Sequence, residues 1–340
     1  MDLTTHYLGM ALRNPLVASA SPLSVRVDGV KELADAGVGA VVLYSLFEEE
    51  VHREQLRDLH LTEAHEDAFG EALSYFPSPR TAEPGAGHRY LTHVQRCAEA
   101  VDVPVIASLN GSTSGGWVRF ARAIEDVGAA AIELNIYAVP GDPHTPGRDV
   151  EDRHVEILEG VRQSVGIPVA VKLSPHFSSV GEVAMRLDRA GADGLVLFNR
   201  FLHPDIDPET LTVEPGVTLS VPQEARLPRA WIAILRGHVT GSLAATTGVE
   251  SSDDVAAYLL AGADVVMTAS ALLRHGIGHA TTLLEGLEAW MRRKELTSLE
   301  AVRGRLAVPA DTDATAYERA GYVAALEHGR VQYGRLQDVR

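Results

Sequence analysis

Val169-Ala170-Val171-Lys172-Leu173 is a run of strand length with a single polar residue. A run this apolar reads as a strand buried on both faces, the pattern of parallel sheets. A lysine near the end of such a strand is costly unless its ammonium reaches an anion, a ligand or water. Ile132-Glu133-Leu134-Asn135 and Gly194-Leu195-Val196-Leu197-Phe198-Asn199 have the same form. Each run is followed by helix-like sequence. Strands separated by single helices run parallel, so their carboxyl ends share one face. Asn135, Lys172 and Asn199 are therefore expected at one mouth, where barrels of this kind carry out their chemistry.

Outward from these runs a rhythm repeats. Ala36-Gly37, Val127-Gly128, Ala190-Gly191 and Ala261-Gly262 each close a helix pattern ahead of an apolar run. Val101-Asp102-Val103-Pro104 and Val165-Gly166-Ile167-Pro168 do the same with proline at the start of the strand. The expected strands are Pro15–Ser19, Ala40–Ser45, Val103–Leu109, Ala130–Asn135, Pro168–Leu173, Gly194–Asn199, Val239–Thr246 and Asp264–Ser270. That set suffices to close an α/β fold of the (β/α)8 TIM barrel type. Leu3 to Leu16, weakly alternating around Gly9, predicts an N-terminal hairpin. Phe47–Gly87 and Arg200–Arg229 are long βα loops, the kind that serve as lids, binding elements or interfaces. The barrel is expected over residues 1–296. A polar tail over 297–340, containing Pro309, Tyr317 and Tyr322, packs on it or extends from it.

The 340 residues are 46% hydrophobic, and 30 Lys plus Arg face 46 Asp plus Glu, a formal charge of −16. An acidic surface disfavours nucleic acid and anionic membrane as partners and leaves a small-molecule substrate. The single cysteine, Cys97, excludes an internal disulfide and a four-cysteine cluster. No metal is expected: His203, Asp205 and Asp207 match no specific ligand spacing and read as a solvated turn. A reducing, cytoplasmic location is expected, with no signal segment at the N-terminus. Val255 to Leu273 is long and nearly uncharged, but Gly262 and Asp264 in its middle predict helix, tight turn and buried strand rather than a membrane span.

Several residues can carry chemistry, each with a plainer alternative. Lys172 can contact an anionic cofactor, form a Schiff base, or be a solvated strand end. Asn135 and Asn199 can serve the edge of a polar ring, or simply form turns. Thr247-Gly248-Val249 and Ala269-Ser270-Ala271 end the last two strands with small residues. These can admit a phosphate to backbone N–H groups, or make crowded turns. Asn110-Gly111-Ser112 opens a Gly-rich loop that is not a dinucleotide fingerprint. Tyr137 and His144, in the loop after Asn135, are candidate proton-transfer groups.

Together, Asn14-Pro15-Leu16-Val17, Ile132–Asn135, Val171-Lys172-Leu173, Asn199, Thr247-Gly248-Val249 and Ala269-Ser270-Ala271-Leu272 resemble the dihydroorotate dehydrogenase family. The resemblance runs from about Asn14 to Leu296. It is strongest to a divergent dihydroorotate dehydrogenase-like branch, through Ala107–Gly111, Leu134–Tyr137 and Leu197–Phe201. It implies FMN at the barrel mouth and a CH–CH oxidoreductase passing a hydride equivalent from a dihydropyrimidine, as in pyrimidine biosynthesis. By resemblance, Lys172, Asn135 and Asn199 contact FMN, Ser19, Ala20 and Ser21 lie along its ring, and Ser45 lies near it. Thr247, Gly248, Val249, Ala269 and Ser270 hold its phosphate. A homodimer is a family-level expectation.

The chain also departs from the family. Ala138 stands where the catalytic Cys or Ser base belongs, and Tyr44 where a lysine ends the second strand. Thr247-Gly248 replaces a Gly-Gly turn, and Ala269-Ser270 a Gly-Thr turn. Tyr137 or His144 is then left to move the proton, with Asn110 and Arg200 as substrate contacts. Two rival readings remain: a non-catalytic flavin-binding barrel or partner subunit, and a Schiff-base lyase using Lys172.

Overall fold

A computed structural model describes residues 1–51, 85–111, 117–136, 141–200, 204–214 and 216–333. Eight parallel strands close a barrel: β3 (Leu16–Ala18), β4 (Ala40–Phe47), β5 (Val105–Asn110), β6 (Ala131–Asn135), β7 (Val169–Leu173), β8 (Gly194–Leu197), β11 (Ser242–Ala245) and β12 (Val265–Thr268). The ring is sealed where β11 pairs with β8, Ser242 opposite Gly194, and where β12 pairs with β3, Val266 opposite Leu16. The expected eight-stranded α/β barrel is thus the observed fold. The expected seventh strand begins too early, because the N–H groups of His238 and Val239 still bond to Leu235 O and extend the preceding helix turn.

Alternation along each strand separates two apolar layers. Val17, Val42, Ile106, Ala131, Ala170, Val196, Ala244 and Met267 form the inner one. Their neighbours in sequence pack outward on the helices, as Leu16, Leu43, Val105, Ile132 and Val171 do. Two residues beyond Ile106, Ala131 and Ala170 come Ser108, Glu133 and Lys172. The same period therefore places these three side chains inside the barrel, one step closer to the mouth.

The stretch Val255 to Leu273 resolves into helix, turn and strand. Helix Ser252–Ala261 starts on a Ser251/Asp254 capping box and stops at Gly262, whose φ of 123° is open to glycine. No helix among the described residues is long and apolar enough to cross a membrane.

At the amino-terminal end of the barrel, opposite the mouth, β1 (Thr5–Tyr7) and β2 (Met10–Leu12) form the hairpin. Tyr7, Leu8 and Leu12 join the inner layer from below. Leu8 N–H bonds to Ser242 Oγ at 3.0 Å and Thr5 Oγ1 to Asp264 O at 2.9 Å. β9 (Asp205–Asp207) and β10 (Thr212–Glu214) make a second, exposed hairpin in the loop after β8. Residues 298–308 return to the barrel, with Gly304, Leu306 and Val308 N–H bonding to Leu259, Leu260 and Ala233 carbonyls. Helix Ala314–Tyr333 follows, with Tyr317, Tyr322 and Leu326 about half exposed.

Candidate active site at the barrel mouth

Register fixes which side chains meet. Asn135 sits opposite Lys172 on β7 and opposite Asn110 on β5. Asn199 follows β8, held by its N–H to Leu173 O at 2.7 Å. Its Nδ2 donates to Asn135 Oδ1 at 2.7 Å, so the two carboxamides are joined across the ends of β6 and β8. Lys172 Nζ lies 3.5 Å from Glu133 Oε1, and the two side chains are 9% and 1% exposed. Glu133 was not anticipated as a functional residue, although an acidic residue between two apolar ones in a buried strand is a visible anomaly. Its charge is felt below the mouth. Burial, and then repulsion from Glu133 and Asp264, pushes the Tyr7 hydroxyl well above its ordinary pKa.

A cavity of about 130 Å³ opens between these strand ends and the last two βα turns. It is lined by Lys172, Asn199 and Arg200 on one side and by Thr246–Val249 and Thr268–Ser270 on the other. The turn after β11 takes two successive positive φ values, 79° at Thr247 and 69° at Gly248. A β-branched residue there is strained by about 1–3 kcal/mol. Three hydrogen bonds hold it. Thr247 Oγ1 donates to Phe198 O at 3.0 Å, and the buried Tyr258 hydroxyl reaches Thr247 O at 2.7 Å and Thr246 O at 3.1 Å. A Cβ on Gly248 would lie 2.8 Å from Val221 O and 2.9 Å from Ala225 N. Ser220 Oγ accepts from Gly248 N–H at 3.2 Å and donates to Ser270 Oγ at 2.9 Å, tying this loop to both turns. Ser220 carries no mark in the sequence that points to this role.

The remaining expected residues distribute unevenly. Ser19 and Ser21 are buried just past β3 with Ala20 half-buried between them, and Ser19 N–H bonds to Thr268 O. Ser45 Oγ meets Ser108 Oγ at 2.8 Å inside the barrel. Asn110 is buried at the end of β5. Arg200 lines the cavity, but its guanidinium is engaged by Glu224 at 2.9 Å and by Thr218 O. In that arrangement it fastens the 216–225 segment to the mouth. His144 is exposed, does not line the cavity, and is placed in a turn by its N–H bond to Asp142 Oδ1. Tyr137 and Ala138 lie outside the described residues, as do most of Phe47–Gly87 and His203.

The family model described as dihydroorotate dehydrogenase matches residues 83–291. The chain belongs to the dihydroorotate dehydrogenase family. It is 33% identical over 214 residues to the dihydroorotate dehydrogenase B (NAD(+)) catalytic subunit of Halalkalibacterium halodurans, covering 57% of this chain and 70% of that one. The Listeria monocytogenes protein of the same name is 32% identical over 209 residues, covering 56% and 68%. A putative dihydroorotate dehydrogenase A (fumarate) of Aeropyrum pernix is 28% identical over 216 residues, covering 61% and 68%. Membership in the dihydroorotate dehydrogenase family makes the chain an oxidoreductase by class.

Within that family frame one expectation needs correcting. Tyr44 does not stand at the mouth in place of the family lysine. The β4–β5 register shifts between Val42 and Ser45, a bulge that adds one residue to β4. The slip turns Ser45 inward and Tyr44 outward. Tyr44 packs edge-on against Tyr90 at 5.2 Å and beside His93 at 5.5 Å, both on helix Ala86–Ala100. Tyr90 OH accepts from Ser108 N–H at 2.8 Å and donates to Ser108 O at 3.0 Å, satisfying backbone groups next to the bulge. The inward position at the end of β4 therefore belongs to Ser45.

Proposed function

We propose that this chain binds FMN at the barrel mouth and oxidises a CH–CH bond of a dihydropyrimidine such as dihydroorotate, in pyrimidine metabolism. The observation that carries this reading is the convergence around one cavity of one buried ammonium, the Asn199 carboxamide with Asn135 bonded behind it, and a tight Thr-Gly turn. The residues fit the group. Lys172, Asn135 and Asn199 offer donors and acceptors to the edge of a polar ring, and the small residues of the Thr247-Gly248 and Ala269-Ser270 turns line the cavity where a phosphate would sit. Ser19 to Ser21 and Ser45 would border the ring side. Thr247, Val249, Ala269 and Ser270 border the phosphate side. When bound, FMN supplies the hydride acceptor.

This chain must then take up the substrate proton. Ala138 has no group for it, and loss of a general base costs about 10²–10⁴ in rate. Tyr137, one residue away in sequence, is the acceptor we propose. No observation among the described residues favours the lyase reading over this one. Purification under native conditions followed by a visible spectrum tests the first half. A chain that is colourless and leaves the fluorescence of added FMN unquenched ends this reading. Anaerobic stopped flow with dihydroorotate tests the second. Slow flavin bleaching is expected, slower still in Tyr137→Phe and faster in Ala138→Cys. Bleaching that dihydroorotate cannot drive even in Ala138→Cys would identify a flavin barrel without this activity. That outcome would favour the reading as a non-catalytic flavin-binding barrel or partner subunit.

A further inference from the structure

Glu133 is the anomaly of this barrel. Its side chain is 1% exposed, and among the described residues one oxygen reaches only Lys172 while the other, Oε2, is buried with no hydrogen-bond partner. The layer beneath it on the inner face is apolar, with Ala131 on its own strand and Ile106, Ala170, Val196 and Met267 around the ring, and in its own layer the Ser45 and Ser108 hydroxyls bond to each other rather than to it. A carboxylate in such surroundings is expensive, and an apolar side chain of similar volume would pack there at less cost. The bridge to Lys172 is also long. At 3.5 Å it sits at the limit of a hydrogen bond, so it steers the ammonium without consuming its donors. Lys172 lines the cavity, and Glu133 does not.

We infer that Glu133 is a positioning residue that holds the Lys172 ammonium under the mouth and offsets its charge, so that the bound flavin meets a neutral pair rather than a bare cation. This rests on the FMN reading above. A bare cation next to the ring would favour electron uptake and attack of anions on the flavin. Glu133 therefore holds the flavin at a lower potential than Lys172 alone would set. The acid–base residues of the reaction do not enter this argument, and no other described side chain carries a full charge in contact with Lys172.

The test compares wild type, Glu133→Gln and Glu133→Asp, each loaded with FMN. Flavin affinity is read by fluorescence titration, the midpoint potential by dye equilibration, and the sulfite adduct by bleaching near the flavin maximum. Removing one buried unit charge is expected to tighten sulfite binding in Glu133→Gln by about tenfold or more and to raise the potential. Flavin affinity should change much less. Glu133→Asp, with a shorter reach to Lys172, should shift sulfite affinity in the same direction by less. It serves alone should the glutamine variant fail to fold. Folded variants that bind FMN with wild-type potential and sulfite affinity overturn the inference and leave FMN binding standing. Weaker flavin binding with an unchanged potential shows that Glu133 is merely structural and overturns it equally. A wild type that binds no FMN overturns the functional reading itself.

Discussion

Glu133 and Lys172 sit inside the barrel directly above an apolar layer that includes Val17, Val42, Val196 and Met267. Each is tolerable only because the other is present. Lys172→Met leaves Glu133 as an uncompensated buried charge, which typically costs about 3–5 kcal/mol. Adding Glu133→Gln to the same chain removes that charge and should restore most of the loss, even though both changes delete the ion pair. Equilibrium urea unfolding of the wild type, the single and the double variant checks this. A double variant no more stable than Lys172→Met contradicts the pairing. Asn135 and Asn199 differ in kind. Their mutual bond is neutral and sits at the rim, so losing one should cost flavin affinity more than folding.

The turn between β11 and helix Ser252–Ala261 concentrates the backbone constraints of the mouth. Gly248→Ala places a Cβ against Val221 O and Ala225 N at a φ of 69°, so the 220–225 segment must move. The expected result is about 1–3 kcal/mol of lost stability, with a clear loss of FMN affinity in the folded fraction. Unfolding curves and flavin titration read the two separately, and wild-type values in both would show that the turn is slack. This turn also shows what can be read from the chain alone. Small residues after an apolar run mark its place, just as Lys172 and the two asparagines mark their strand ends, because burial on both faces makes every polar residue conspicuous. The Tyr44–Ser45 inversion leaves no such mark. A one-residue bulge changes which face a side chain takes without changing composition, and it is fixed by β5 and by Tyr90 across the sheet. Ser220 is hidden for the same reason: its role comes from Ser270, fifty positions further along.

With a formal charge of −16 spread over 340 residues, the protein repels itself at neutral pH, and mild acid relieves some of that repulsion. Two histidines, one buried and one half-buried, act in the opposite direction. His154, on helix Gly147–Arg162, is 1% exposed, places Nδ1 2.7 Å from Val150 O and meets Phe177 edge-on at 5.1 Å. Burial holds its pKa below the ordinary histidine value against the pull of the Val150 carbonyl. Burial does the same to the half-buried His93. A group whose folded pKa is depressed is protonated first in the unfolded chain as the pH falls. Its contribution to stability is therefore present above the ordinary histidine value and is lost between that value and the depressed one. The loss per group is at most about 1.4 kcal/mol per pH unit. His154→Phe keeps an aromatic ring beside Phe177 and removes the titration. Urea unfolding in steps from about pH 7.5 to about pH 5.5, above most carboxylate titration, should give a shallower decline in the variant than in the wild type. The shared surface-charge background cancels in that comparison. Parallel slopes would mean that His154 is protonated equally easily folded and unfolded, in which case its burial does not govern the acid side of the stability curve.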